Sequence, residues 1–195
     1  LAYFTKSEFY SRVYIFTLAL TFTLATFDWI MSIDSHWFST IFAVKNFVSA
    51  FLHGSAAVVL AVILLHRTGY FSHLNQYHLH DFSKYLFMLS IMWGYTWFSQ
   101  FFLIWFGNIP EETVYYTTRT SAEWKNIFLA DISINWLFPF LFLMLNKIAK
   151  NPKALIFASV ILLIGLWLDI YLQVMPGVTG INTIGFTEIG VFMGF

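Results

Sequence analysis

The chain has 195 residues, of which 59% are hydrophobic, 22% aromatic and only 10% charged, with a formal net charge of zero. A water-soluble domain carries roughly 25% charged residues to dress its surface, so lipid is the expected solvent for most of this chain. There is no cysteine, which excludes disulfides, thiolate metal sites, cysteine-held iron–sulfur clusters and Cys-x-x-Cys-His haem attachment on this chain; the charge balance gives no basic face for nucleic acid.

A helix needs roughly 20 mostly apolar residues to cross the hydrocarbon layer. In chain order the stretches that qualify are 13–31, 37–65, 82–106, 126–148 and 154–175, with a further span starting near 187. The expected fold is therefore all-α, a polytopic helix bundle forming a single transmembrane domain over 1–195. The second stretch is long enough to tilt. Pro139 lies inside the fourth, where it should free a carbonyl and kink the helix. Pro176 with Gly177 should end the fifth. The 107–125 connection is the longest and most polar, which marks it for contact with a partner. The sequence opens on Leu1 and stops within an apolar run, so it is expected to be a piece of a longer chain, with no cleavable signal peptide at its start.

Lys and Arg set the orientation. Lys6, Arg12, Arg67, Lys84, Lys147, Lys150 and Lys153 fall on one side of the alternating spans, against Arg119 and Lys125 on the other. That places the N-terminal end and the 146–153 connection in the cytoplasm. The connections 32–36, 107–125 and 176–182 then lie outside.

An ionisable group in hydrocarbon costs on the order of 2.5–3.5 kcal/mol or more, so each demands a reason. The candidates are Asp28, Lys45, His53, Asp131 and Asp169, supported by Ser49, Gln100, Asn135 and Gln173, with Glu188 at the margin. At about 1.5 Å of rise per residue, most of them fall in one layer, the outer third of the membrane, with His53 deeper. Lys45, Ser49 and His53 recur every four residues and form one stripe on a helix. Asp131 with Asn135, and Asp169 with Gln173, share the same spacing, and Trp93, Thr96, Trp97 and Gln100 share another face. Such stripes are expected to face one another inside the bundle. Each residue taken singly also fits helix–helix glue. One lysine with three aspartates exceeds that need and suits a proton path.

Histidine gives no haem site. A pair of bis-His haems needs matched histidines on two helices, and only His53 is clearly intramembrane. His66, His73, His78 and His80 belong to one connection, where the run from Tyr77 to Asp81 reads as a solvated loop rather than a metal site. His36 lies at the outer edge.

Three segments carry a resemblance. They are 28–40 (Asp-Trp-Ile-Met-Ser-Ile-Asp-Ser-His-Trp-Phe-Ser-Thr), 97–116 (Trp-Phe-Ser-Gln-Phe-Phe-Leu-Ile-Trp-Phe-Gly-Asn-Ile-Pro-Glu-Glu-Thr-Val-Tyr-Tyr) and 165–176 (Gly-Leu-Trp-Leu-Asp-Ile-Tyr-Leu-Gln-Val-Met-Pro). Together they resemble the F subunits of bacterial alternative complex III, which are similar to the NrfD and polysulfide-reductase membrane anchors. The resemblance implies a subunit of about ten helices, of which this chain would be roughly the C-terminal half. It implies a quinol:electron-acceptor oxidoreductase in the bacterial inner membrane. The partners implied are a multihaem cytochrome c, an iron–sulfur protein, a sister membrane subunit that holds the quinol site, and a terminal oxidase. Haem c and iron–sulfur clusters would then sit on the partners, quinol would be the substrate of the complex, phospholipid would be bound, and this chain would carry no redox cofactor, no metal and no catalytic residue of its own. Two alternatives remain open from the residues. One is a quinol site near the outer surface built from His36, Trp37, Asp28 and Gln100, where a hydroquinone could shed its protons. The other is a stand-alone secondary transporter with a midplane site on broken helices.

Overall fold

In a computed structural model, residues 2–71, 73–182 and 185–194 are described, with the side chain of residue 2 left aside. Among them the ordered elements are all helical. They run α1 (Ala2–Trp29), α2 (Ile41–Arg67), α3 (Gln76–Gly107), α4 (Pro110–Arg119), α5 (Lys125–Ile132), α6 (Phe138–Leu143), α7 (Asn146–Ala149), α8 (Pro152–Val178) and α9 (Phe186–Gly194). A 3-10 turn (Met31–Ile33) follows α1, and a π turn (Ser133–Leu137) joins α5 to α6. Five segments are long and apolar enough to cross a membrane: α1 with its 3-10 turn, α2, α3, the α5–π–α6 unit and α8. In hydrocarbon each backbone N–H and C=O has to be satisfied within the segment, which is why these apolar runs fold as helices. The chain is a multi-pass helical membrane protein by this measure.

The observed boundaries differ from the sequence reading at several places, and the first span is already helical from Ala2 rather than from residue 13. α3 begins earlier, at Gln76, because Asn75 caps it. Its Oδ1 accepts from the Tyr77 and His78 amides at 2.9 and 3.2 Å, and the Asn75 amide donates to His78 Nδ1 at 3.3 Å. The segment from Tyr77 to Asp81, expected as a loop, is thus the first turn of a helix. The fourth span stops at Leu143 rather than residue 148; the chain unwinds at Met144 and Leu145 before the short α7. The second span starts at Ile41, so Trp37 lies in the preceding connection. The fifth helix does not end at Pro176 but runs on to Val178 with the proline inside it. The start near residue 187 falls within α9.

α2 is the central helix and packs most extensively on α8 and α3. Toward the end that holds α7 the core is aliphatic, with Leu52, Ala56, Val59, Ile63, Leu86, Leu89, Leu155, Ala158 and Leu162 buried together. Toward the other end it is aromatic: Trp37, Phe42, Tyr115, Tyr116, Trp124, Phe128 and Tyr171 interlock. α1 touches chiefly α2 and is exposed along almost its whole length.

The 107–125 connection, which its polarity marks for contact with a partner, is mostly α4. This helix places Tyr115, Tyr116 and Arg119 in the bundle and leaves Glu111 outward. Asn108 turns the chain into it from a left-handed conformation (φ 47°), its amide capping the Ile104 carbonyl at 3.0 Å.

Candidate functional site, a buried charged network between four helices

The network lies where the aliphatic and aromatic halves of the core meet. The i, i+4 spacing of Lys45, Ser49 and His53 puts all three on the face that α2 turns to α8 and to the π turn, and all three are buried. Lys45 forms an ion pair with Asp169 of α8. Ser49 Oγ donates to the other oxygen of that carboxylate at 2.6 Å, and Gln173 Nε2 donates to Asp169 at 2.9 Å from one turn further along α8. Asp169 therefore accepts from an ammonium, a hydroxyl and an amide. That donor set is what a carboxylate removed from water requires.

A second carboxylate, Asp131 on α5, is 1% exposed. Asn135 Nδ2 donates to it at 2.7 Å and also faces the Gly165 carbonyl oxygen at 3.2 Å. With its amide nitrogen aimed at two acceptors, Asn135 must present Oδ1 to His53, whose Nε2 donates to it at 3.0 Å. His53 Nδ1 lies 2.6 Å from the Ser49 carbonyl oxygen and 3.3 Å from Ser49 Oγ. His53 stands deeper on α2 than Lys45 and Ser49, as the sequence reading has it, and is bonded to the layer from below. The bonded arc runs Asp131–Asn135–His53–Ser49–Asp169–Lys45, with Gln173 attached to Asp169.

Two local features hold Asn135 at the hub. Pro139 has no N–H to offer the carbonyl four residues back, which is that of Asn135, and the helix responds with a π turn over Ser133–Leu137 rather than a simple kink. On the facing helix Gly165 lets the two backbones approach: a Cβ there would stand 2.2 Å from Asn135 Oδ1.

Lys45, Gln100, Asp131 and Asp169 lie four to nine residues from helix ends that share one side of the bundle, a depth of about 6–14 Å. The expected common layer therefore holds for Lys45, Ser49, Gln100, Asp131, Asp169 and Gln173, with Asn135 and His53 next below them, and all eight are buried. It does not hold for Asp28, which is exposed one residue from the end of α1 because that helix turns only a narrow face to α2. The residues of the alternative quinol site, His36, Trp37, Asp28 and Gln100, differ in their surroundings. His36 is exposed, whereas Trp37 is buried and stacked on Tyr115 with centroids 3.9 Å apart, and Gln100 faces the interior network. Glu188 sits at the start of α9 and accepts from the Gly185 amide at 2.7 Å, apart from the network.

Arg119, assigned from the sequence only as an outer-side cation, is 2% exposed and organises the outer end. Its Nη2 donates to Asp34 Oδ2 at 3.0 Å and to the Gln173 carbonyl at 2.7 Å; Nε donates to the Leu172 carbonyl at 3.0 Å and Nη1 to the Tyr115 carbonyl at 3.0 Å. The guanidinium also sits 3.4 Å from the Tyr115 ring centroid. The Leu172 carbonyl is the one that Pro176, four residues on, leaves without a helical donor. Arg119 supplies that donor, and this is why α8 passes through Pro176. The signal was present in the sequence as a proline inside an apolar helix with an arginine on the same outer side. Burial pushes the Tyr115 phenol up to about 12, against the opposing pull of Arg119, and raises that of Tyr116 as well.

Fold and network together define a multi-pass helical membrane protein whose interior carries one ammonium, one imidazole and two carboxylates in direct hydrogen-bond connection. No protein-family model matches the chain, and no match is found among curated proteins.

Proposed function

We propose that this chain is a noncatalytic membrane subunit of a quinol-oxidising respiratory oxidoreductase of the bacterial inner membrane, in which Lys45, His53, Asp131 and Asp169 carry protons through the outer half of the bilayer. The single observation that carries the proton role is the buried arc from Asp131 to Lys45. One ammonium, one imidazole and two carboxylates are bonded in one buried set, and each of them can bind or release a proton. Helix glue needs polar contacts but not four ionisable groups. The respiratory assignment rests on the resemblance of the three segments. They supply much of the site and its lid: Asp34 from the first, Gln100, Tyr115 and Tyr116 from the second, and Gly165, Asp169 and Gln173 from the third. Haem c and iron–sulfur clusters then belong to partner subunits, and quinol and bound phospholipid to the complex.

The test has two parts. Affinity purification from membranes is expected to bring down subunits with covalently bound haem and iron. In that complex Asp131→Asn is expected to suppress proton translocation while quinol oxidation continues. Recovery of the chain alone would remove the respiratory assignment, and unchanged translocation in Asp131→Asn would reduce the network to glue.

A second reading, the secondary transporter, is favoured by one feature. The α5–π–α6 unit is a continuous helix with a π turn in its middle, beside a buried polar site, an irregularity frequent at functional sites. Solute uptake by the purified chain in liposomes would select it.

A further inference from the structure

The arc of direct bonds positions the two carboxylates but does not join them for proton transfer. The link next to Asp131 is Asn135, whose amide donates and accepts without giving up a proton at accessible energy. Against both carboxylates lies a small cavity of about 20 Å³, lined by Lys45, Gln100, Asp131, Asp169, Gln173 and Arg119 among others. A cavity holds a water once it offers about 10–15 Å³ and two to four polar partners. Two of its lining side chains carry buried polar atoms with no partner among the described residues: Gln100 Nε2, a donor, and Gln173 Oε1, an acceptor. Gln100 is 3% and Gln173 6% exposed. An amide left unsatisfied in such a place costs roughly 1–3 kcal/mol, and here two of opposite polarity border one water-sized space.

We infer that this cavity is a binding site for a single water molecule, which accepts from Gln100 Nε2, donates to Gln173 Oε1 and links Asp131 to Asp169 directly. The inference rests on the proton-path reading for its purpose, though not for its geometry. With Asp131 carrying the exchangeable proton, the water makes four bonds. It accepts from Gln100 and from the Asp131 O–H, and donates to Gln173 and to the Asp169 carboxylate. Transfer is balanced. Asp131 gives its hydrogen to the water oxygen while the water gives one to Asp169. One O–H bond breaks at Asp131, one forms at Asp169, and the water is restored. Gln100 and Gln173 are positioning residues in this scheme, since they hold the oxygen and leave the chemistry to the carboxylates.

The experiment compares infrared spectra of the membrane-embedded complex in ordinary water and in water labelled with oxygen-18, for the unmodified protein and for Gln100→Met and Gln173→Met. A water stretching band that shifts with the label in the unmodified complex and is missing in both variants is the expected result, with proton translocation reduced about tenfold, the weight of one hydrogen bond. A band that persists in both variants, or no labelled band in the unmodified complex, overturns the proposal. High-resolution density for the unmodified complex, with or without a peak between the two glutamines, decides the same point should a methionine variant fail to assemble. The two readings fail separately. Loss of translocation in Asp131→Asn with unaltered translocation and band in Gln100→Met keeps the proton path and removes the water. Full translocation in Asp131→Asn removes the path, and the labelled band then decides the water alone.

Discussion

Removing Arg119 tests whether one side chain makes α8 continuous. In Arg119→Met the carbonyls of Leu172 and Gln173 lose donors at 3.0 and 2.7 Å, and Asp34 loses its partner at 3.0 Å. Asp34 is 27% exposed and regains water, so the cost comes mainly from the carbonyls, about 1–3 kcal/mol for a buried acceptor left unsatisfied. Pro176→Ala alone restores an N–H four residues after Leu172. It should change stability by less than about 1 kcal/mol, because Arg119 already satisfies that carbonyl. In the double variant the new N–H replaces the lost guanidinium donor, so the two changes should couple by about 1 kcal/mol in the stabilising direction. The assay is reversible unfolding of the purified protein in mixed micelles, followed by tryptophan fluorescence, with Trp37 reporting directly on the ring stack beside Arg119. Additivity within about 0.3–0.5 kcal/mol would show that Arg119 does not compensate for Pro176, and the account of why α8 passes the proline would fall.

Three further outcomes follow from the geometry. Lys45→Met leaves Asp169 buried beside Ser49 and Gln173 without its cation and should cost about 3–5 kcal/mol, most of it recovered in Lys45→Met with Asp169→Asn; a double variant as unstable as the sum of the two would refute the pairing. Gly165→Ala forces a Cβ to within 2.2 Å of Asn135 Oδ1 and should cost about 1–3 kcal/mol, whereas Gly54→Ala, which meets nothing within 4 Å, should be neutral or slightly stabilising; equal effects in the same unfolding assay would contradict the close α8 approach. The Tyr115 phenol titrates near 12 in the folded protein against the ordinary value of 10.0. A raised acid contributes stability that is complete below the unfolded value and is lost as pH climbs from about 10 to 12, by roughly 2–3 kcal/mol. Melting temperatures measured between pH 9 and 11.5 should therefore fall more steeply in the unmodified protein than in Tyr115→Phe.

Spans were legible because hydrocarbon imposes a single rule, an apolar run of fixed minimum length with its backbone bonded internally. Their ends were less so. The Asn75 cap drew in polar residues that hydropathy assigns to a loop, while Met144 and Leu145 are apolar residues at which the helix nonetheless stops. The site divides along the same line. Lys45, Ser49 and His53 were readable as a stripe because i, i+4 spacing is a property of one helix, and so were the pairs Asp131–Asn135 and Asp169–Gln173. Asp28 shows the boundary of that logic. A charge inside an apolar run needs a reason, but periodicity alone does not say which face has a neighbour, and α1 offers Asp28 none. Arg119 fails in the opposite sense. It stands in a polar connection, where a cation needs no explanation, yet it is buried because a carbonyl 53 residues away lacks a donor. A backbone vacancy created by proline is invisible to hydropathy and to side-chain spacing, but it is predictable from the covalent chemistry of one residue. In chains this poor in charge, each internal proline therefore points to a freed carbonyl. The polar side chain that answers it belongs on the list of candidate site residues before any carboxylate is placed.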